Sequence, residues 1–358
     1  MNRNAVQGAG QIIGLIDGRQ VVGLDIAKNV FQLHSVDMGT GEIINLQLKR
    51  AKVLEHFANR APCLIGIEAC GGAHHWAREL TGLGHSVRLI HAKAVRPFVS
   101  GNKTDATDAR AIWLAIQQPG TKFVGMKTLQ QQATLVLHRQ REMLMRMKVM
   151  QINALRGLLY EFGATFAKGK NALFSEIEAT LESLASDIPQ YVLDSLREQV
   201  QRIKQLAVDI KAIEVRLAQR LRGDEDMLRV AAIPGVGLLT ATAAIATMGQ
   251  ASAFKSAREF CAWLGLVPKQ RGTGGRVKLL GISKRGDTYL RTLLIHGARS
   301  VLSHAKEPGP WLEQLKGRRP DNVVVVAQAA KMARTIWAVT ARQRDYQRGY
   351  QSTRPQAA

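Results

Sequence analysis

Residues 21–26 read Val21-Val22-Gly23-Leu24-Asp25-Ile26, a short apolar run rich in β-branched side chains with one carboxylate in it. Its length and composition predict a buried strand rather than a helix. An unpaired charge inside such a strand is costly, so Asp25 is marked out from the start. Reading outward, residues 29–37 and 42–48 suit hairpin partners of this strand, with Asp37-Met38-Gly39-Thr40-Gly41 as the turn. A helix over 51–59 follows, and then a second apolar strand, 63–68, that closes on Glu68. Gly71-Gly72 breaks the chain before a helix over 73–83. A strand over 86–90, a loop holding Pro97 and Gly101, and a helix over 105–116 complete the region.

Three strands followed by alternating helices and strands predict a mixed α/β sheet domain of the RuvC or RNase H-like kind. A Rossmann domain is the rival, but no glycine-rich fingerprint follows the first strand. Asp105 and Asp108 stand three apart at the start of the last helix, so both face one way. Strand ends in a parallel arrangement bring Asp25 and Glu68 toward them. Four converging carboxylates repel unless divalent cations neutralise them, and hard oxygen ligands suit Mg²⁺ or Mn²⁺. The plain alternative for Asp105 and Asp108 is helix capping. Lys103 and Arg110 flank the pair and are candidate phosphate contacts. The histidines form no metal pattern. His74 and His75 are adjacent, and His85 and His91 read as strand-edge residues, so a zinc site is not expected.

From about 129 to 221 the chain turns long, polar and helical. Leu196, Val200, Ile203, Leu206, Ile210, Ile213 and Leu217 recur at three- and four-residue steps, a seam for a coiled coil or a helical hairpin. The narrow, charge-flanked stripe favours an arm that pairs with another copy over one that packs on its own body. From Gly223 onward the reading is a compact helical domain. The expected divisions are 1–127, a sheet domain; 128–222, a helical arm; 223–341, a compact helical domain; and 342–358, a basic flexible tail.

Charge bounds the partners. The 358 residues hold 50 Lys and Arg against 28 Asp and Glu, a formal +22, and residues 223–358 alone carry +12. Such a field favours polyanions, and the cheapest is a phosphate backbone. A ribosomal or membrane-surface protein shares that property, so charge alone decides nothing further. No uninterrupted apolar run long enough for a bilayer and no secretory signal is read. Cys63, Cys70 and Cys261 are too few and too scattered for a disulfide framework, which fits a reduced, cytoplasmic, nucleoid-associated protein.

Two basic or glycine-rich motifs lie in the last third. Ile233-Pro234-Gly235-Val236-Gly237 before a helix reads as a helix-hairpin-helix turn, whose N–H groups at Gly235 and Gly237 can meet a phosphate. Glycines that only cap two packed helices are the alternative. Gly265-Leu266-Val267-Pro268 then leads into a glycine-rich basic loop. Lys269, Arg271, Arg276, Lys278, Lys284, Arg285 and Arg291 surround the hydroxyls of Thr273 and Ser283 there. Those cations suit phosphates and the charge that develops during phosphoryl transfer, and the alternative is a solvated basic loop.

These motifs, in this order, resemble the DEDD-type insertion-sequence transposases, the bridge-RNA-guided DNA recombinases. The likeness rests on Gly23-Leu24-Asp25-Ile26-Ala27-Lys28, Gly66-Ile67-Glu68-Ala69 and residues 102–110, Asn-Lys-Thr-Asp-Ala-Thr-Asp-Ala-Arg. It resumes at residues 233–237, 265–268 and 282–287. The resemblance implies a RuvC-like domain binding Mg²⁺ through Asp25, Glu68, Asp105 and Asp108. It implies a coiled-coil arm for homodimer and homotetramer assembly, and a C-terminal transposase domain with a serine nucleophile that forms a covalent 5′-phosphoserine. It also implies a composite site and a structured noncoding RNA that pairs with target and donor DNA. The position matching the nucleophilic serine is Thr273 here. Threonine keeps the hydroxyl but adds a methyl that crowds in-line attack and restricts χ1. Ser283, beside Lys284 and Arg285, is the alternative. A junction endonuclease using only the carboxylates, and a packaging protein with a structural acidic cluster, are the competing functions.

Overall fold

In the computed structural model of the chain, residues 15–350 are described except 17, 38, 103, 168 and 306–308. The chain divides into two compact units, residues 1–128 and 129–358.

The first unit is built on a mixed sheet. Its strands are β1 (Leu15–Ile16), β2 (Arg19–Asp25), β3 (Val30–Val36), β4 (Ile43–Lys49), β5 (Leu64–Glu68), β6 (Ser86–Ile90) and β7 (Phe123–Val124). Along the sheet the order is β4-β3-β2-β5-β6-β7, with β1 on β2. The first three long strands form an antiparallel meander, and β2, β5 and β6 run parallel. The central strands are buried on both faces, which is why they read as continuous apolar runs. Helices α1 (Val53–Ala58), α2 (Ala73–Gly82), α3 (Ala92–Val95) and α4 (Asp105–Ile116) cover it.

Two glycines set how close α4 comes. A Cβ on Gly23 would collide with the Ala109 carbonyl and lie 2.8 Å from the Trp113 Cβ. A Cβ on Gly66 would lie 2.9 Å from Ile116 Cδ1. Trp113 adds a hydrogen bond from Nε1 to the Val21 carbonyl, 3.0 Å. Ala109 therefore sits over residue 23 and Trp113 reaches residue 21, so α4 runs opposite to β2.

The second unit is mainly helical. Helices α5 (Leu129–Tyr160), α6 (Lys170–Ser183) and α7 (Gln190–Arg222) share one core, in which Leu155, Leu159, Leu173, Ile177, Leu193, Val200 and Ile203 are fully or almost fully buried. This corrects one expectation. Along the Leu196–Leu217 stripe all but the half-buried Leu206 are buried, and α7 lies against α5 of the same chain. Two long amphipathic helices joined by a short helical connection cover each other's stripes before any second copy is needed.

The rest of the unit comprises α8 (Glu225–Ala231), α9 (Leu238–Met248), α10 (Ala257–Trp263), β8 (Pro268–Thr273), β9 (Arg276–Ile282), α11 (Thr288–His304), α12 (Pro310–Lys316) and α13 (Asp321–Arg342). Helix α9 is buried from Thr240 to Met248 and forms the hub. Helix α13 is apolar and long enough to cross a bilayer, but 56% of its most apolar window is buried in this core, as befits a core helix. The expected loose tail begins as ordered structure. Asp345 pairs with Arg229 at 3.2 Å, Gln343 bonds both Arg229 and Asp226, and Tyr346 packs on the core. Residues 351–358 lie outside the described residues.

Candidate active site

Asp25 and Glu68 end neighbouring parallel strands. The register pairs Leu24 with Ile67, so the two acids follow side by side, about 4.8 Å apart across the sheet. Both are half-buried. Because α4 runs opposite to β2, its first turn lies toward this same end of the sheet, bringing exposed Asp105 and half-buried Asp108 with it. Thr104 caps that turn with a complete capping box: its Oγ1 accepts from the Thr107 N–H at 3.2 Å, and its own N–H donates to Thr107 Oγ1 at 2.9 Å. The capping task expected of the aspartates is thus done by threonines, which leaves the carboxylates for other work.

Among the described residues no ion pair involves Glu68, Asp105 or Asp108. No three His, Cys, Asp or Glu side chains there stand close enough to enclose a metal ion. The four carboxylates lie toward one end of the sheet without forming a closed cage. The donors are all hard oxygens, the chemistry that suits Mg²⁺. Arg110 is exposed; the pKa of buried His34 is lowered by burial first, against the hydrogen bond to Asn45, and then by the Arg110 charge. Lys103 lies outside the described residues. One neighbour was not foreseen. The Cys70 thiol is pushed up by burial and then by the charges of Glu68 and Asp25, so it sits within the field of both.

In the second unit the glycine-rich basic stretch is not a loop. It is a two-stranded antiparallel ribbon, β8 with β9, turned by Gly274 and Gly275 at φ +57° and +79°. Two consecutive positive φ values make the two-residue hairpin turn whose twist matches its strands. Register assigns the faces, because directly paired residues point the same way. Thr273 pairs with Arg276 and Arg271 with Lys278, so the threonine hydroxyl shares one face with three cations. Gln270 pairs with Leu279 and Gly272 with Val277 on the other face. Lys269 lies at an irregularity in the pairing, exposed like the rest of β8.

The ribbon's root is a clasp. A Cβ on Gly286 would collide with the Trp263 carbonyl, and one on Gly265 with the Arg285 carbonyl; both glycines have positive φ. Ser283 N–H donates to the Val267 carbonyl at 2.8 Å, and Lys284 N–H to the Gly265 carbonyl at 3.1 Å. Lys284 and Arg285 are exposed, and half-buried Ser283 sits in this locked turn. Arg291 departs from the phosphate role expected of it. It is buried, and its guanidinium donates to the carbonyls of Leu264 (3.0 Å) and Arg285 (3.1 Å), stapling both sides of the clasp.

The helix-hairpin-helix glycines split. Gly235, at φ +83°, meets Gly297 and Val301 of α11 so closely that a Cβ would lie 2.8 Å from the Gly297 carbonyl; its role is packing. Gly237 caps α9 with open space around it and remains available to a phosphate. A buried polar frame escaped sequence reading altogether. His138 of α5 is hydrogen-bonded to Tyr289 Oη through Nδ1 and to Thr242 Oγ1 through Nε2, each at 3.0 Å. Burial and then the charge of Arg141 push His138 down to about 4. Arg141 in turn pairs with Glu214 of α7 at 2.8 Å. Tyr289 is two residues from Arg291, so the frame ties α5 and α9 to the first turn of α11.

Comparison with known proteins accounts for both constellations. Residues 22–163, which hold all four carboxylates, match a DEDD family described as a transposase of the IS110 type. Residues 227–312, which hold the helix hairpin and the ribbon, match the transposase IS116/IS110/IS902 family. A probable family 20 transposase of Pseudomonas aeruginosa is 44% identical over 333 residues, spanning 92% of this chain and 98% of that protein. The chain belongs to the IS110/IS116 transposase family. The transposase is also similar to that of insertion sequence element IS1111A of Coxiella burnetii, 39% identical over 92% of each chain. The transposase of IS1328 of Yersinia enterocolitica is 37% identical over 89% of this chain and 96% of its own. The protein is accordingly an enzyme of DNA strand cleavage and transfer.

Proposed function

We propose that the transposase excises and inserts its element through a covalent protein–DNA intermediate formed by Thr273, with the sequence chosen by a structured noncoding RNA. The observation that carries the reading is the register of the ribbon, which sets the Thr273 hydroxyl among Arg271, Arg276 and Lys278. Those cations neutralise a phosphodiester and the charge that builds on it as the hydroxyl attacks. The Oγ–phosphorus bond forms as the bond to O3′ breaks, leaving a 5′-phosphate on the protein and a free 3′-hydroxyl. The proton given up by Thr273 balances the one taken up by O3′. Ser283 is the poorer nucleophile of the two, because it is half-buried within the clasp.

Asp25, Glu68, Asp105 and Asp108 are the residues that would hold Mg²⁺, in a RuvC-like unit whose strand order and helix α4 support that description. Bound there, the ion would stabilise developing charge on phosphate oxygens. The same proposal includes homodimer or homotetramer assembly through the helical arm. With the Leu196–Leu217 seam used inside the chain, the apolar surface left on α5 includes Val136, Met143, Met147 and Met150, all exposed. The RNA reading is supported by the basic charge, which suits a second polyanion besides target and donor DNA.

Two experiments test the reading. Mass spectrometry of a trapped protein–DNA adduct is expected to map the phosphate to Thr273; an adduct on Ser283 overturns the assignment. Purification from cells carrying the native flanking DNA is expected to bring down one discrete RNA, and its absence overturns RNA guidance. A junction endonuclease, the rival that the unit's strand order favours, would keep cutting with alanine at both 273 and 283.

A further inference from the structure

The ribbon has a second face that the chemistry above does not use. Val277 and Leu279 are 64% and 62% exposed, among the most exposed apolar side chains of the described residues. The register places them side by side on one face, opposite Gly272, which has no side chain, and Gln270. The result is a bare apolar face on a ribbon whose other face is cationic. Scattered exposed apolar residues need no explanation, but paired ones on an unpacked ribbon do.

Charge selects the occupant. From Gly265 to Gly286 there are six Lys or Arg and no Asp or Glu, and no ion pair among the described residues uses any of the six. A second copy of a +22 chain is a poor match for that field, whereas a phosphate backbone is a good one. A two-stranded ribbon also fits a groove of duplex DNA, where apolar side chains contact base edges or wedge between base steps and unstack them. We infer that Val277 and Leu279 form a wedge that enters a DNA groove and unstacks a base step beside the phosphate held by the cationic face. This rests on the proposed role of the Thr273 face and adds a residue pair that prepares the DNA rather than reacting with it. Unstacking loosens the backbone locally, which helps a crowded threonine reach in-line geometry.

The test uses the full chain bound to the RNA copurified from cells carrying its native flanking DNA, and a duplex oligonucleotide of the matching target sequence with 2-aminopurine at successive positions, read by fluorescence and by titration at several salt concentrations. Wild type is expected to bind with a severalfold rise in fluorescence confined to one step. Val277→Ser with Leu279→Ser, both at exposed positions, is expected to keep the salt slope and hold affinity within about twofold while losing the rise. Arg271→Gln with Lys278→Gln is expected to lower the salt slope by about two. A rise that persists in the Val277/Leu279 variant, or is missing in wild type bound to DNA, overturns the wedge alone. An unchanged salt slope in the Arg271/Lys278 variant overturns the reading of the cationic face instead. A change of oligomeric mass in the Val277/Leu279 variant, seen by light scattering, means a second copy covers this face and also overturns the wedge.

Discussion

Asp25 ends a strand whose four preceding residues are buried, whereas Thr273 ends a strand in which every residue is exposed. The first is aimed by a core: strand register, two glycines without room for a Cβ, and a tryptophan hydrogen bond fix its level relative to α4. The second is aimed by a two-residue turn and a clasp at the root, with nothing packed along its length. In the proposed mechanism the carboxylates, which must hold a geometry, sit on the rigid element. The proposed nucleophile sits on one that can bend.

That contrast can be broken at four points. Glu68→Gln removes one oxygen donor from the rigid end and is expected to cut excision, measured in cells, on the order of 10³-fold. Retained excision would mean that the acids are architectural. Next come two glycine substitutions read by urea unfolding. Gly23→Ala drives a methyl into the Ala109 carbonyl and is expected to cost about 3 kcal/mol. Gly274→Ala, at φ +57° in open space, is expected to cost about 1–2 kcal/mol and to act on the turn alone.

The third point is the frame beneath the clasp. His138 is neutral when folded, with its value down from 6.5 to about 4, so the unfolded chain binds more protons between those limits. Stability is therefore full above pH 6.5 and is lost as pH falls toward 4, by about 2 kcal/mol from pH 7 to 5. His138→Gln, which keeps hydrogen-bonding capacity, is expected to unfold with a shallower pH slope over that window. Equal slopes would mean that other groups set it. The smallest effect is expected of Thr273→Ser, which keeps the hydroxyl and removes the methyl. Excision should stay within a few-fold of wild type or rise, and a deep loss would assign Thr273 a structural role.

Much of the rigid half was legible because its signals are local. The strand 86–90 and the helix 105–116 fall where the sequence puts them, since turn residues and apolar runs mark both ends. Asp25 and Glu68 stood out because charge is costly after a buried run. The ribbon looks like a loop in the sequence although Gly274-Gly275 is a hairpin signal. Its strands carry Lys, Arg and Gln in place of the alternating apolar residues that announce a sheet. The stripe on α7 showed its period but not its partner, and pattern alone cannot tell a neighbour in the same chain from one in another. Arg291 looked like its basic neighbours, and only the fold shows that it faces inward. His138 and Tyr289 are 151 residues apart, so no local pattern could join them.

The clasp brings the chain out of the helical body and back in through one gate, with Trp263 against Gly286 and Gly265 against Arg285. Between those points Leu266, Val267 and Ile282 pack on the helical core, whereas every residue of β8 is exposed. The exposed part of the ribbon is a replaceable tool tip on a fixed handle. It can lengthen, shorten or exchange side chains while the body keeps its shape.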